Sequence, residues 1–192
     1  MSPVSDITGV ILCGGRSSRF GENKALAPIR GEPMVKQVLE VMESVFAPLL
    51  MVTNRPEEYA AFNIAVVSDL VPDQGPMGGI VTAFHHSSND RLFVVGCDMP
   101  VLDPSVIRKL IEADERFDAV VPVHDGRGEY LMALYSRTIF DPMREALNRG
   151  ERSIRKFLSE RPNIRWIPLA GNSAYNVNTR DDLQRLEETD AV

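Results

Sequence analysis

The sequence predicts an α/β fold: an open, mostly parallel, Rossmann-like sheet with helices on both faces and one antiparallel strand. Three observations predict it. Short apolar runs alternate with helical patterns along most of the chain, as in a sheet covered on both sides. The turn sequence Asp125-Gly126-Arg127-Gly128 joins two apolar runs directly, so one strand runs against the others. Polar residues suited to chemistry fall just after the apolar runs, which is where ligands bind in open parallel sheets.

Each element has a local reason. Thr8 to Cys13 is a short apolar run and reads as a buried strand. Pro33 to Phe46 carries Val35, Val38, Leu39, Met42 and Val45 at helical spacing. Leu49 to Thr53 and Ala65 to Ser68 are the second and third strands, with a short helix from Pro56 to Phe62 between them. Gly79 to His86 reads as a helix and Arg91 to Gly96 as the fourth strand. Asp103 and Pro104 supply an N-cap and a first helical residue for a helix reaching about Glu115. Strands at Ala119 to Val123 and Tyr130 to Tyr135 flank the turn. Asp141-Pro142 opens a helix that Gly150 closes. Ser153 to Glu160 is helical, Ile164 to Pro168 is extended, and Thr179 caps a final helix. No repeat, low-complexity tract or linker breaks the pattern, so residues 1–192 read as one domain.

Composition narrows the function. With 44% hydrophobic and 25% charged residues, the 192-residue chain has ordinary globular proportions. A net charge of −6 argues against a nucleic-acid partner, which needs a strong basic face. No apolar run nears membrane-spanning length and the first residues lack a signal shape, so a cytoplasmic location away from membranes is expected. Two cysteines make neither a disulfide framework nor a zinc site.

The richest stretch is Val10-Ile11-Leu12-Cys13-Gly14-Gly15-Arg16-Ser17-Ser18-Arg19-Phe20-Gly21-Glu22-Asn23-Lys24. Its glycines let backbone N–H groups approach a ligand, and Arg16, Arg19 and Lys24 add positive charge. Free N–H groups together with cations form an anion site, usually for phosphate. The spacing is neither the Walker pattern nor Gly-x-Gly-x-x-Gly. Asp98 ends the fourth strand in Gly96-Cys97-Asp98-Met99-Pro100, and a hard oxygen ligand beside phosphate points to Mg²⁺. Asn54 follows the second strand and Asp69 the third; read locally, either is equally well a turn residue or a strand-end cap. Asp73-Gln74-Gly75-Pro76-Met77-Gly78-Gly79 is a second Gly-rich turn opening a helix. Asn176 and Asn178 alternate along an extended segment and share one face. Cys13 and Cys97 both end strands that are neighbours in many doubly wound sheets, about 4.8 Å apart. They read either as two small buried hydrophobes or as a pair of thiols that approach each other beside the ligand, in which case mild oxidation would weaken ligand binding.

The first loop resembles the opening loop of the small nucleotidyltransferases, Leu-Ala-Gly/Ala-Gly-x-x-x-Arg-Met-Gly-x-x-Lys, with Cys13 for the usual alanine and Phe20 for the usual methionine. Within that group the chain resembles the molybdenum cofactor guanylyltransferase family, whose members join GMP from GTP to molybdopterin and release pyrophosphate. The resemblance implies nucleotide contacts from Leu12, Cys13, Gly14, Gly15, Asn54, Asp69, Gly78 and Gly79. Asp98, in a Cys-Asp-x-Pro motif, would hold Mg²⁺. Arg19 and Lys24 would stabilise charge on the triphosphate and the leaving pyrophosphate. The attacking group is already a phosphate anion, so no general base is needed. Asn176 and Asn178 match the family's Asn-x-Asn-Thr-x-x-Asp/Glu-Leu, and Arg152 its Gly-Glu-Arg segment. These three would meet the second substrate, molybdopterin or molybdenum cofactor. Proteins that deliver the cofactor, and the apoenzymes that receive it, are the expected macromolecular partners.

The sister cytidylyltransferases share the chemistry, and Glu22-Asn23-Lys24 looks closer to them, because the guanylyl branch usually has aspartate before the lysine. Gly14, the Gly-Pro-Met-Gly-Gly turn and Asn-x-Asn favour GTP over CTP. Sugar-phosphate nucleotidyltransferases usually carry Gly-Thr-Arg-Leu where this chain has Ser17-Ser18-Arg19-Phe20. A non-catalytic nucleotide-binding regulator would need the loop, Asn54 and Asp69, but not Asp98.

Overall fold

A computed structural model describes residues 2–14, 23–114, 116–169, 174, 175 and 182. In chain order its elements are β1 (Ile7–Leu12), β2 (Pro28–Ile29), β3 (Glu32–Pro33), α1 (Met34–Val45), β4 (Leu49–Val52), β5 (Ala65–Val67), α2 (Gly75–His86), β6 (Arg91–Gly96), β7 (Val101–Leu102) and α3 (Pro104–Glu112). There follow β8 (Ala119–His124), β9 (Arg127–Gly128), β10 (Met132–Ser136), α4 (Phe140–Asn148), α5 (Ile154–Ser159), β11 (Ile164–Pro168) and β12 (Ala174–Tyr175). Short 3₁₀ segments occupy Lys24–Leu26, Pro56–Tyr59 and Arg137–Ile139.

The main sheet runs in the order β11-β8-β10-β6-β1-β4-β5, with β9 paired to β8. β1 is parallel to both β4 and β6, β4 to β5, and β8 to β11. β10 is antiparallel to both of its neighbours, as the turn at residues 125–128 predicts. The chain builds outward from β1 to β4 and β5, then returns to β6 on the other side of β1. The strand order therefore reverses between β1 and β6, and a crevice opens there beyond the strand ends.

Alternation along the strands builds two cores. Val10, Leu12, Leu50 and Val94 face α2, α4 and α5, packing among Met77, Ile80, Phe84, Met143, Leu147 and Phe157. Ile11, Met51, Phe93 and Val95 face α1 and α3, packing among Val35, Val38, Met42, Ile107 and Leu110. All six residues of β1 are buried, which is why the strand reads as an apolar run rather than an alternating one.

Several boundaries differ from the sequence expectation. α2 begins at Gly75, one turn before Gly79, with Pro76 in its first turn. The positive φ of Asp73 (61°) and of Gly75 (65°) gives this stretch its turn-like composition and conceals the first helical turn. α4 begins at Phe140, because the 3₁₀ turn at Arg137–Ile139 runs straight into it; Asp141 lies inside the first turn and caps nothing. β10 begins at Met132 rather than Tyr130. α3 starts as expected, with Asp103 accepting from the Ser105 N–H at 2.7 Å. The helix expected after Thr179 lies outside the described residues. Among the described residues no helix is long and apolar enough to cross a membrane.

Candidate functional site

The crevice between β1 and β6 is where the chemistry-bearing residues meet. The ladder continues one residue past both strands: the Cys13 N–H donates to the Val52 carbonyl at 2.8 Å and the Cys97 N–H to the Leu12 carbonyl at 3.1 Å. Gly14 follows, exposed, with open space where a Cβ would be. Two residues past β6, the Asp98 carboxylate lies 3.2 Å from Lys24 Nζ. The lysine side chain is 15% exposed and the aspartate 29%, so the pair is largely shielded yet reachable from the crevice. A Cβ on Gly96 would lie 2.5 Å from Asp98 Oδ1; the bare backbone there leaves room for the carboxylate.

Lys24 is fixed from behind. Asn23 Oδ1 accepts from the Ala25 N–H at 3.1 Å and caps the 3₁₀ turn that carries Lys24. Asn23 Nδ2 donates to the Tyr59 hydroxyl at 3.0 Å and to Glu58. Glu58 also accepts from Arg55 Nη1 at 3.0 Å, and both neighbours hold its carboxyl below the ordinary carboxylate range. Asn23 thus has a local explanation, and its side chain turns toward Glu58 and Tyr59.

At the ends of β4 and β5, Asn54 and Asp69 lie together. Burial raises the Asp69 carboxyl above its ordinary pKa, while hydrogen bonds from Thr82 and Asn54 oppose that rise. The Thr82 hydroxyl donates to Asp69 Oδ1 at 3.5 Å and accepts from the Leu70 N–H at 3.0 Å. Asp69 is therefore held by Thr82 from α2 and by Asn54 from the end of β4.

Gly78 and Gly79 are buried within α2, so Gly79 does not start a helix. A Cβ on Gly79 would meet the Leu12 side chain at 3.0 and 3.3 Å, so this glycine lets α2 lie close against β1. A Cβ on Gly78 would lie 2.5 Å from the Cβ of Gln74, the residue that precedes α2, so this glycine serves the packing of the helix start. Arg152 is exposed, and its Nη1 donates to the Leu147 and Glu151 carbonyls at 2.7 and 3.0 Å, tying off the end of α4. Its neighbour Arg155 acts electrostatically on the Tyr130 phenol, which places the start of α5 beside the segment leading into β10. Gly15, Arg19, Asn176 and Asn178 lie outside the described residues.

β1 and β6 are neighbours, and the thiols of Cys13 and Cys97 meet. Both are free. Burial above all, and then the Cys97 contact, push the Cys13 thiol well above its usual pKa.

Among the described residues no group of three or more His, Cys, Asp or Glu side chains is placed to hold a metal ion. Among the described residues, Asp98 is the carboxylate that lies beside Lys24. One carboxylate suits Mg²⁺, which keeps several waters and takes the rest of its shell from substrate phosphates.

Sequence reasoning missed Gly96, Glu58, Tyr59 and Thr82. Thr82 left a signal as the only polar residue between Gly78 and Phe84. The others left none, because their value lies in what the fold places opposite them.

Residues 9–164 match the family described as MobA-like NTP transferase domain. The chain belongs to this MobA-like family. A relative from Pelotomaculum thermopropionicum, named as a probable molybdenum cofactor guanylyltransferase, is 34% identical over 184 residues, covering 92% of this chain and 89% of that one. Another relative under the same name, from Carboxydothermus hydrogenoformans, is 35% identical over 137 residues, covering 71% of this chain and 69% of that one. The crystal structure of molybdopterin-guanine dinucleotide biosynthesis protein A from Archaeoglobus fulgidus superposes with a TM-score of 0.84 at 27% identity, over 96% of this chain and 98% of that one. As a MobA-like NTP transferase the protein is a nucleotidyltransferase, and the expected fold class is borne out.

Proposed function

We propose that the protein transfers GMP from GTP to molybdopterin with Mg²⁺, releasing pyrophosphate and forming molybdopterin guanine dinucleotide. The observation that carries this reading is the Lys24–Asp98 pair at the switch point, with Asn54 and Asp69 at the ends of the adjoining strands. Guanine presents two donors on one edge, its N1–H and 2-amino group. An ionised carboxylate offers acceptors to both. Adenine and cytosine each present an acceptor on that edge and would meet repulsion from Asp69.

Lys24 supplies positive charge where the triphosphate must lie, and preorganised charge is the main lever in phosphoryl chemistry. Mg²⁺, held by Asp98, would supply positive charge to offset the negative charge developing on the leaving pyrophosphate. Arg19, Gly14 and Gly15 of the first loop hold the remaining phosphate charge. Arg152, Asn176 and Asn178 receive molybdopterin.

The test is calorimetric titration with GTP, CTP and ATP, each with Mg²⁺, followed by pyrophosphate release in the presence of molybdopterin. A clear preference for GTP, with turnover lost in Lys24→Ala, supports the reading. Preference for CTP overturns the choice of base, and normal turnover in Lys24→Ala overturns the role of the loop.

A further inference from the structure

Glu58 uses its two carboxylate oxygens for two different loops. One oxygen accepts from Asn23 Nδ2, the residue before Lys24; the other accepts from Arg55 Nη1, the residue after Asn54. We propose that Glu58 is a positioning residue that clamps the phosphate-side loop to the base-side loop, acting on Lys24 through Asn23 and on Asn54 through Arg55. This inference rests on the preceding assignment of Lys24 to phosphate and Asn54 to base.

The two arms are unequal. Arg55 is 65% exposed, and an exposed pair of this kind contributes little. The Asn23 arm is partly buried and reinforced by Tyr59, which is 1% exposed. Asn23 spends both amide hydrogens, on Glu58 and on Tyr59, while its oxygen caps the turn that carries Lys24. A rotation of this one side chain would therefore release the Lys24 turn and Glu58 together.

The clamp also accounts for the identity of residue 23. A carboxylate there would face the Glu58 carboxylate, which its neighbours keep ionised. Like charges so close repel, whereas an amide donates. Asparagine before the lysine is thus the complement of Glu58 and carries no information about the base.

The test compares Asn23→Asp, Glu58→Ala and the double variant Asn23→Asp with Glu58→Gln in the full chain, with GTP affinity in Mg²⁺ read by calorimetry and folding by thermal melting. In the double variant the amide introduced at position 58 donates to the carboxylate introduced at position 23, restoring the contact with donor and acceptor exchanged. Asn23→Asp and Glu58→Ala are expected to weaken GTP about tenfold, and the double variant to recover it to within about threefold of the parent. A double variant as weak as Asn23→Asp, or single variants that bind like the parent, overturns the clamp. A parent that binds no nucleoside triphosphate overturns the preceding functional reading, and the clamp with it.

Discussion

Gly96 and Asp98 share one small volume: a Cβ on the first would lie 2.5 Å from Oδ1 of the second. Glycine at the last position of β6 therefore lets the Asp98 carboxylate settle beside Lys24. Gly96→Ala is expected to displace the carboxylate while leaving the strand in place. Turnover should fall at least about tenfold, equivalent to roughly 1.4 kcal/mol of transition-state stabilisation. The melting temperature should move by only a few degrees. Pyrophosphate release and a thermal melt decide it; parental turnover would mean that Asp98 does its work from another position.

Asp69 sets stability against recognition. Its folded carboxyl titrates above the ordinary 3.8 because burial disfavours the charge. The folded chain thus holds this proton more tightly than the unfolded chain, and stability is lost as the pH rises through the folded pKa. At pH 7 the ionised group costs stability that an amide does not. Asp69→Asn should melt at the same temperature or about 1–3 °C higher at pH 7, with the advantage gone at about pH 3. GTP should bind at least about tenfold more weakly, since an amide offers one acceptor and one donor to two guanine donors. A lower melting temperature at pH 7 would contradict the burial account.

Thr82 is 1% exposed and connects Leu70 to Asp69. Thr82→Val keeps the shape but leaves the Leu70 N–H without its acceptor. The expected loss is about 0.5–1.5 kcal/mol in denaturant unfolding. Thr82→Ser retains the hydroxyl and should lose less. Equal losses in the two variants would assign the role of Thr82 to packing.

Cys13 should resist modification. Its thiol is buried and its pKa raised, so little thiolate is present near neutrality. Alkylation by iodoacetamide at pH 8 should be slow and should quicken by about tenfold per pH unit up to pH 9. Mass spectrometry of the labelled Cys13 peptide reads the rate directly. With oxidised glutathione, thiol–disulfide exchange through Cys97 and then Cys13 should release two glutathione thiols and weaken GTP binding. Cys13→Ala showing the same loss of binding would separate that effect from the cysteine pair.

The legible part of the molecule was whatever short range decides. The β1 run announces its own burial, and Asp103-Pro104 carries a whole helix start in two residues. Lys24 was visible as the cation closing the Gly-rich loop, and Asp98, Asn54 and Asp69 as suitable residue types at strand ends. Their assembly was visible only through a strand order that sets β1 against β6. The start of α2 was hidden because Gly75-Pro76 is turn chemistry and helix-start chemistry at once. Glu58 was hidden more thoroughly: beside Glu57 it reads as solvated charge, and Asn23 lies 35 residues away. Gly96 is silent in the sequence, since nothing local says that a carboxylate needs its missing side chain.

β10 runs against its neighbours, so the segment leading into it, not the one leaving it, reaches the crevice. There the Leu131 carbonyl receives the Gly96 N–H at 3.0 Å. The connection from β8 through β9 reaches this edge and turns back without crossing a face of the sheet, so no helix has to move when it changes length. Under the proposed function, insertions at residues 125–130 would reshape the wall that faces the acceptor and spare the residues assigned to the triphosphate. Evolution is thereby given a place to exchange one acceptor for another while inheriting the same leaving-group chemistry.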